Sequence, residues 1–187
     1  MPKFILASSS PRRQALLKLL DFEFRVISPT VEENLDASKT LEEAIMDLAY
    51  QKAEEVFKNN TDATVLGFDT LVCLGDHVLG KPNNEKDVYE MLKILSNQTH
   101  RVITGCAIIS KDLKKVFYKD ALVTFSKISD DEIEAYIQTK EPYGKAGAYA
   151  IQGYGAKFIE NIHGDYYAVM GLPVHEVYKQ LKGLTKN

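Results

Sequence analysis

Hydrophobic positions along this chain follow two rhythms. Short apolar runs with the character of buried strands occur at Phe4–Ala7, Phe22–Ser28, Thr64–Leu74, Arg101–Ser110, Lys115–Ser126 and Ala156–Ile162. Between them, apolar residues recur at helical spacing. Arg12–Leu20 carries Ala15, Leu16, Leu19 and Leu20 on one side, and a longer helix is predicted from Thr40 to about Lys58. Asn84–Leu95 turns Val88, Met91, Leu92 and Leu95 inward, and a helix after Ser129 does the same with Ile133, Tyr136 and Ile137. The last helix starts at Pro173 and buries Val177 and Leu181. Thr40 with Glu43, and Ser129 with Glu132, have capping-box spacing. Turns are expected at Gly75-Asp76 (leading into His77–Leu79), around Asp112 within an antiparallel hairpin, and over Asn161–Asp165. Strands alternating with helices predict an α/β or α+β domain around a mixed sheet. The length, 187 residues, suits a single domain spanning 1–187, with room for two lobes.

Several polar residues break this pattern. Ser10 is a natural N-cap and Pro11 fits the first helical position, yet Arg12 and Arg13 follow at once. Cations at the positive end of a helix are disfavoured by roughly 0.3–1 kcal/mol each. Two solvated surface arginines are one reading. The other is a polyanion such as a phosphate chain, held by free backbone N–H groups, the Ser8–Ser10 hydroxyls and two guanidinium forks.

Lys52 falls on the apolar stripe Leu41, Ile45, Leu48 and Val56, beside Ala49 and Ala53. It is either a snorkelling edge residue or a cation aimed into a cleft. Asp69 interrupts the strand Val65-Leu-Gly-Phe-Asp-Thr-Leu-Val-Cys-Leu74. A buried carboxylate needs a cation, a metal or hydrogen bonds, so Asp69 reads as half of an ion pair, a general base or a metal ligand. Gly67 is expected to permit a bend there. Lys81, between Gly80 and Pro82, is held at a defined place or is an ordinary turn lysine. Glu32 and Glu33 are solvated loop acids or helpers for a divalent cation. The glycine-rich loop from Gly144 to Gly155 permits close backbone approach to a ligand, and the Gln152 amide has the donor and acceptor needed to read a base edge.

Composition narrows the field. Hydrophobic content of 45% and charged content of 26% are those of an ordinary globular protein. A net charge of −3 argues against bulk electrostatic binding of nucleic acid, and any anion site must be local. No aromatic stacking motif for single-stranded RNA is present. Apolar runs are too short to span a bilayer, and Met1-Pro-Lys leads straight into a strand rather than a signal peptide. Cys73 and Cys106 lack metal-ligand spacing and read as buried free thiols, which points to the cytoplasm.

Taken together, these segments resemble the Maf family of nucleotide pyrophosphatases, also called septum formation inhibitors. The resemblance lies in Leu6-Ala-Ser-Ser-Ser-Pro-Arg-Arg13, Gly67-Phe-Asp-Thr70, Gly80-Lys-Pro82, Ser96-Asn-Gln-Thr-His100 with Thr104-Gly105, Lys145-Ala-Gly-Ala-Tyr-Ala-Ile-Gln-Gly153, Gly164-Asp-Tyr-Tyr and Val169-Met-Gly-Leu-Pro173. It runs nearly end to end. It implies a Maf/ITPase-like α/β fold: an elongated mixed sheet flanked by helices, with two lobes around a central cleft. The implied activity is hydrolysis of nucleoside triphosphates to monophosphate and pyrophosphate with a divalent cation (Mg²⁺, Mn²⁺ or Co²⁺).

By motif match, Asp69 takes the place of the proton acceptor, with Lys52 and Lys81 as catalytic cations. Ser8, Arg12, Arg13, Glu33 and Gln152 match substrate-site positions, and Asp69 and Glu33 are the implied metal ligands. Arg12, Thr70 and Gln152 look like the subfamily preferring dTTP and UTP, whereas the 7-methyl-GTP subfamily has Gln in place of Thr70. Modified pyrimidine nucleotides are a further implied substrate class. A homodimer is compatible with the resemblance, and the older family name leaves open a nucleotide-binding regulator of cell division acting through protein contacts. Phe68 stands where alanine is frequent, and Gly144 where an aspartate is frequent, so no metal ligand is expected in that loop.

Overall fold

Helix α1 (Pro11–Lys18) starts where the sequence places it, with the Ser10 side chain accepting from the Arg13 N–H and Pro11 in the first turn. The computed structural model describes residues 3–184. Within them, strands β1 (Phe4–Ala7), β2 (Phe24–Ile27), β3 (Thr64–Leu74), β4 (His77–Leu79), β5 (Thr99–Ile109), β6 (Lys114–Phe125) and β7 (Ile159–Gly164) form one sheet in the order β2-β1-β3-β5-β6-β7, with β4 on β3. Strand β1 pairs in parallel with β2 and β3, while β4 on β3 and β7 on β6 are antiparallel. The sheet is therefore mixed, as predicted. Helices α2 (Leu41–Phe57), α3 (Glu85–Leu95), α4 (Asp130–Gln138), α5 (Tyr166–Met170) and α6 (Val174–Leu181) complete the described α-helices. None is long and apolar enough to cross a membrane.

The chain divides into two compact units. The first comprises the residues up to Thr70, Thr104–Lys119 and the segment from Gly171 onward; the second comprises Leu71–Ile103 and Asp120–Met170. In the first, α2 packs Ala49, Ala53 and Val56 against Ile5 and Ala7 of β1, Val65 of β3 and Ala107 of β5. Both predicted capping boxes form, Thr40–Glu43 on α2 and Ser129–Glu132 on α4. In the second unit, Val88, Leu92 and Leu95 of α3 and Ile133, Tyr136 and Ile137 of α4 meet Val123 and Phe125 of β6 in one apolar cluster. Cys73 and Cys106 are buried free thiols.

The structure departs from the sequence reading in several places. Helix α1 buries Leu16, Leu17 and Leu20, while Leu19 is 64% exposed. Its inward stripe therefore runs 13, 16, 17 and 20, one residue away from the predicted side. Asn161–Gly164 lies in β7, not in a turn, because pairing with Ala121–Thr124 of β6 extends the strand. Ala156–Phe158 belongs to a 3₁₀ turn (Tyr154–Phe158) preceding β7. Helix α5 was not expected; the Asp165 carboxylate accepts from the Tyr167 and Ala168 N–H groups and starts it.

Gly67 acts by close approach of helix and strand. A Cβ there would collide with the Ala49 carbonyl and the Ala53 side chain of α2. The missing side chain lets the helix backbone lie directly on β3, and that brings Lys52 to Asp69.

Candidate functional site

Lys52 and Asp69 meet in the first unit. Lys52 sits on the inward stripe of α2 and Asp69 on β3, both buried, with Nζ 3.1 Å from Asp69 Oδ1. The same ammonium donates to Glu33 Oε1 at 2.7 Å, reaching into the loop between β2 and α2. Two carboxylates that are distant in sequence thus share one cation. The snorkelling alternative for Lys52 does not hold, since the head group is buried along with its stem. That loop is tethered from α2 as well: the Glu55 carboxylate accepts from the Thr30 and Val31 N–H groups at 2.9 and 3.2 Å, and from the Thr30 hydroxyl. These hydrogen bonds, led by the Thr30 hydroxyl, hold the Glu55 carboxyl below its usual range.

Beside this cluster lies a hydrogen-bond chain that runs from Asp69 through Thr70 to Thr104 and Arg13. The Thr70 N–H donates to Asp69 Oδ1 at 3.0 Å, and Thr70 Oγ1 is 2.9 Å from Thr104 Oγ1. Arg13 donates from Nη2 to Thr70 Oγ1 at 3.0 Å and from Nε to the Gly171 carbonyl at 2.9 Å. Burial lowers the Arg13 pKa, opposed by the negative charges of Asp69 and Glu33. Ser8 is buried at the end of β1, where its hydroxyl accepts from the Ser10 N–H at 3.2 Å. Arg12 is half-buried in the first turn of α1.

Ser8, Arg12, Arg13, Glu33, Lys52, Asp69 and Thr70 therefore all belong to the first unit. Lys81 and Gln152 belong to the second, where both are exposed. The two residues sit on connected segments, since the Gly147 N–H of the glycine-rich loop donates to the Gly80 carbonyl at 3.1 Å. The far end of that loop is held by Glu141, which accepts from the Tyr154 and Gly155 N–H groups and the Tyr136 hydroxyl. Within it, the Tyr149 hydroxyl is 2.7 Å from Nε2 of the buried His100. His100 Nδ1 is the one buried side-chain N or O atom without a hydrogen-bond partner among the described residues, and burial pushes the imidazole pKa down to about 4.

The sequence motifs include Thr104 and Gly171 but assign neither a site role, and Glu55 lies outside them. A signal for Thr104 exists: it is a polar residue in the apolar run Val102-Ile-Thr-Gly-Cys-Ala-Ile-Ile109, the same kind of break that marked Asp69.

The comparisons with known proteins now decide the family. The model of the family described as Maf-like protein matches residues 3–184. This chain belongs to the Maf family. Two Bacillus cereus relatives, strains G9842 and ZK / E33L, are 48% and 49% identical to this Maf protein over 97% of its length and 95% of theirs, and both are named dTTP/UTP pyrophosphatase. A relative of the same name from Bacillus thuringiensis subsp. konkukian is 48% identical over the same shares. Among solved structures, the Staphylococcus aureus Ham1 protein superposes with a TM-score of 0.54 at 13% identity, covering 97% of the Maf chain and 99% of its own. That likeness shows that the Maf chain shares the mixed α/β fold.

Proposed function

We propose that this Maf protein hydrolyses dTTP and UTP to the nucleoside monophosphate and pyrophosphate. The reading is carried by one observation: a buried Asp69–Lys52–Glu33 cluster in a chain about half identical to proteins named for that activity.

Water attacks a triphosphate poorly because the chain is strongly anionic, so catalysis consists mostly of positioning and charge neutralisation. Arg12 and Ser8, at the positive N-terminal end of α1, hold phosphate oxygens. Asp69 orients the attacking water and accepts its proton. Lys52 fixes the Asp69 carboxylate and offsets charge developing on the phosphoryl oxygens, and Lys81 adds a second cation. Thr70 and Gln152 contribute to the choice of a pyrimidine base.

Glu33 and Asp69 converge on one ammonium, so two carboxylates lie within reach of a single cationic position. That donor set suits Mg²⁺ or Mn²⁺, which are commonly held by one or two carboxylates together with substrate phosphates. Among the described residues no group of three or more His, Cys, Asp or Glu side chains is arranged as a metal site. Remaining ligands would be phosphate oxygens and water, and the ion would supply charge neutralisation.

A pure nucleotide-binding regulator would use the arginines and lysines but has no use for a carboxylate inserted in an apolar strand. The test is a panel of nucleoside triphosphates with Mg²⁺, Mn²⁺ and Co²⁺, scored for monophosphate and pyrophosphate. Preferential turnover of UTP and dTTP is expected; nucleotide binding without any turnover would replace the enzyme by the regulator.

A further inference from the structure

Arg12 and Arg13 are adjacent in sequence and both half-buried, and the structure shows what Arg13 holds. Arg13 lies on the inward stripe of α1 with Leu16, Leu17 and Leu20, and its guanidinium is engaged by the protein itself. The Nε–H and an Nη2–H form the side-on edge of the fork, the pair that would grip a phosphate or carboxylate bidentately. Here they point to two separate acceptors, the Gly171 carbonyl and Thr70 Oγ1.

The surroundings are shaped for this. Gly171 has φ of +101°, and a Cβ there would come within 3.2 Å of Thr70 Oγ1 and 3.3 Å of Arg13 Nε. The backbone approaches the guanidinium so closely only because that residue carries no side chain. Thr104, which completes the chain beyond Thr70, is fully buried. From Thr70 the connection runs one step further, through its N–H to Asp69 Oδ1, the same oxygen that faces Lys52.

We infer that Arg13 is a positioning residue, which fixes Thr70 and through it the Asp69 carboxylate, and is not a clamp on the substrate phosphates. The inference rests on the pyrophosphatase reading above and divides the labour of the arginine pair: Arg12 meets the phosphates and Arg13 holds Thr70 beside Asp69. It also gives the Thr70 hydroxyl a role inside the protein, between Arg13 and Thr104.

The test compares Arg13→Gln, Thr70→Val, Thr70→Ser and the double variant Arg13→Gln/Thr70→Val with wild type. Two quantities are read: kcat at saturating UTP, and Kd for a UTP analogue with a non-hydrolysable α,β bridge. Arg13→Gln is expected to lower kcat by about 10- to 100-fold, the scale of a misplaced catalytic group, with Kd changed by less than about threefold. Residues acting as one unit give non-additive losses, so the double variant should be no slower than the slower single variant. Thr70→Ser, which keeps the hydroxyl, should recover most of what Thr70→Val loses. Weakening of Kd by about tenfold or more in Arg13→Gln with kcat retained makes Arg13 a phosphate clamp and overturns the inference, as do additive losses. If Arg13→Gln fails to fold, Thr70→Ser against Thr70→Val decides: equal losses overturn it. Pyrophosphate release by the wild type is scored separately, so failure of the underlying reading is distinguishable from failure of this one.

Discussion

Lys52 Nζ lies 3.1 Å from Asp69 Oδ1, and both side chains are more than nine-tenths buried. Breaking a buried pair by removing one partner costs about 3–5 kcal/mol, because the other charge is left uncompensated. Lys52→Ala strands Asp69 in an apolar strand and should lower stability by that order in urea or thermal unfolding. Asp69→Asn keeps the shape and leaves Lys52 its Glu33 contact, so it should fold normally yet lose at least ~100-fold in turnover. Retained turnover in a folded Asp69→Asn protein removes Asp69 from the chemistry.

Gly67→Ala tests how α2 is seated. The added methyl meets the Ala49 carbonyl and Ala53, and overpacking of this kind costs about 1–3 kcal/mol. For a chain of this size a drop in Tm of about 2–12 °C is expected. An unchanged Tm would show that α2 lifts off β3 without cost.

Glu55 holds the Glu33 loop through the Thr30 and Val31 amides. Its carboxyl pKa is depressed in the folded protein, so the ionised form and its hydrogen bonds persist at neutral pH and are lost as pH falls through the folded value. Glu55→Ala should therefore speed hydrogen exchange at Thr30 and Val31 at pH 7 while leaving exchange in β3 unchanged, and lower turnover by loosening Glu33. Unaltered protection of both amides would show that the tether does not hold the loop.

His100 gives the protein an acid-sensitive term. Its folded pKa, about 4, is below the ordinary value of 6.5, so between these values the unfolded chain binds a proton that the folded one does not. Stability attributable to His100 is full above pH 6.5, falls as pH drops, and is fully lost below about 4. Between pH 7.5 and 5 the loss should be about 2 kcal/mol. Tyr149, its hydrogen-bond partner, has its pKa raised by burial and stays protonated throughout. His100→Gln should flatten the acid side of the stability profile measured by urea unfolding; a profile identical to wild type assigns the acid loss to other groups.

The residues that could be read from sequence were those that break a local pattern. Lys52 on a helical stripe and Asp69 in an apolar strand each violate the burial rule for charges, and they turn out to be each other's partner. Arg13 was legible as a cation at a helix start but not as one whose guanidinium is engaged by Thr70 and Gly171. Helix α1 has only two turns, so a one-residue error in its stripe hides Arg13 from the core. Thr104 was legible as part of a family motif but not as a site residue, because a buried hydroxyl costs less than a buried charge and breaks the burial rule less sharply. The β7 boundary failed for a different reason. Ile159 and Ile162 alone carry its apolar signal, and what makes it a strand is pairing with β6, which is set by tertiary contacts beyond any local window.

On the proposed reaction the UTP chain is cut so that pyrophosphate leaves intact. Phosphorus NMR of UTP incubated with wild-type protein and Mg²⁺ or Mn²⁺ follows all products at once. UMP and pyrophosphate should rise together in equal amounts, and Asp69→Asn should slow both by at least ~100-fold. Appearance of UDP and orthophosphate instead would contradict the account.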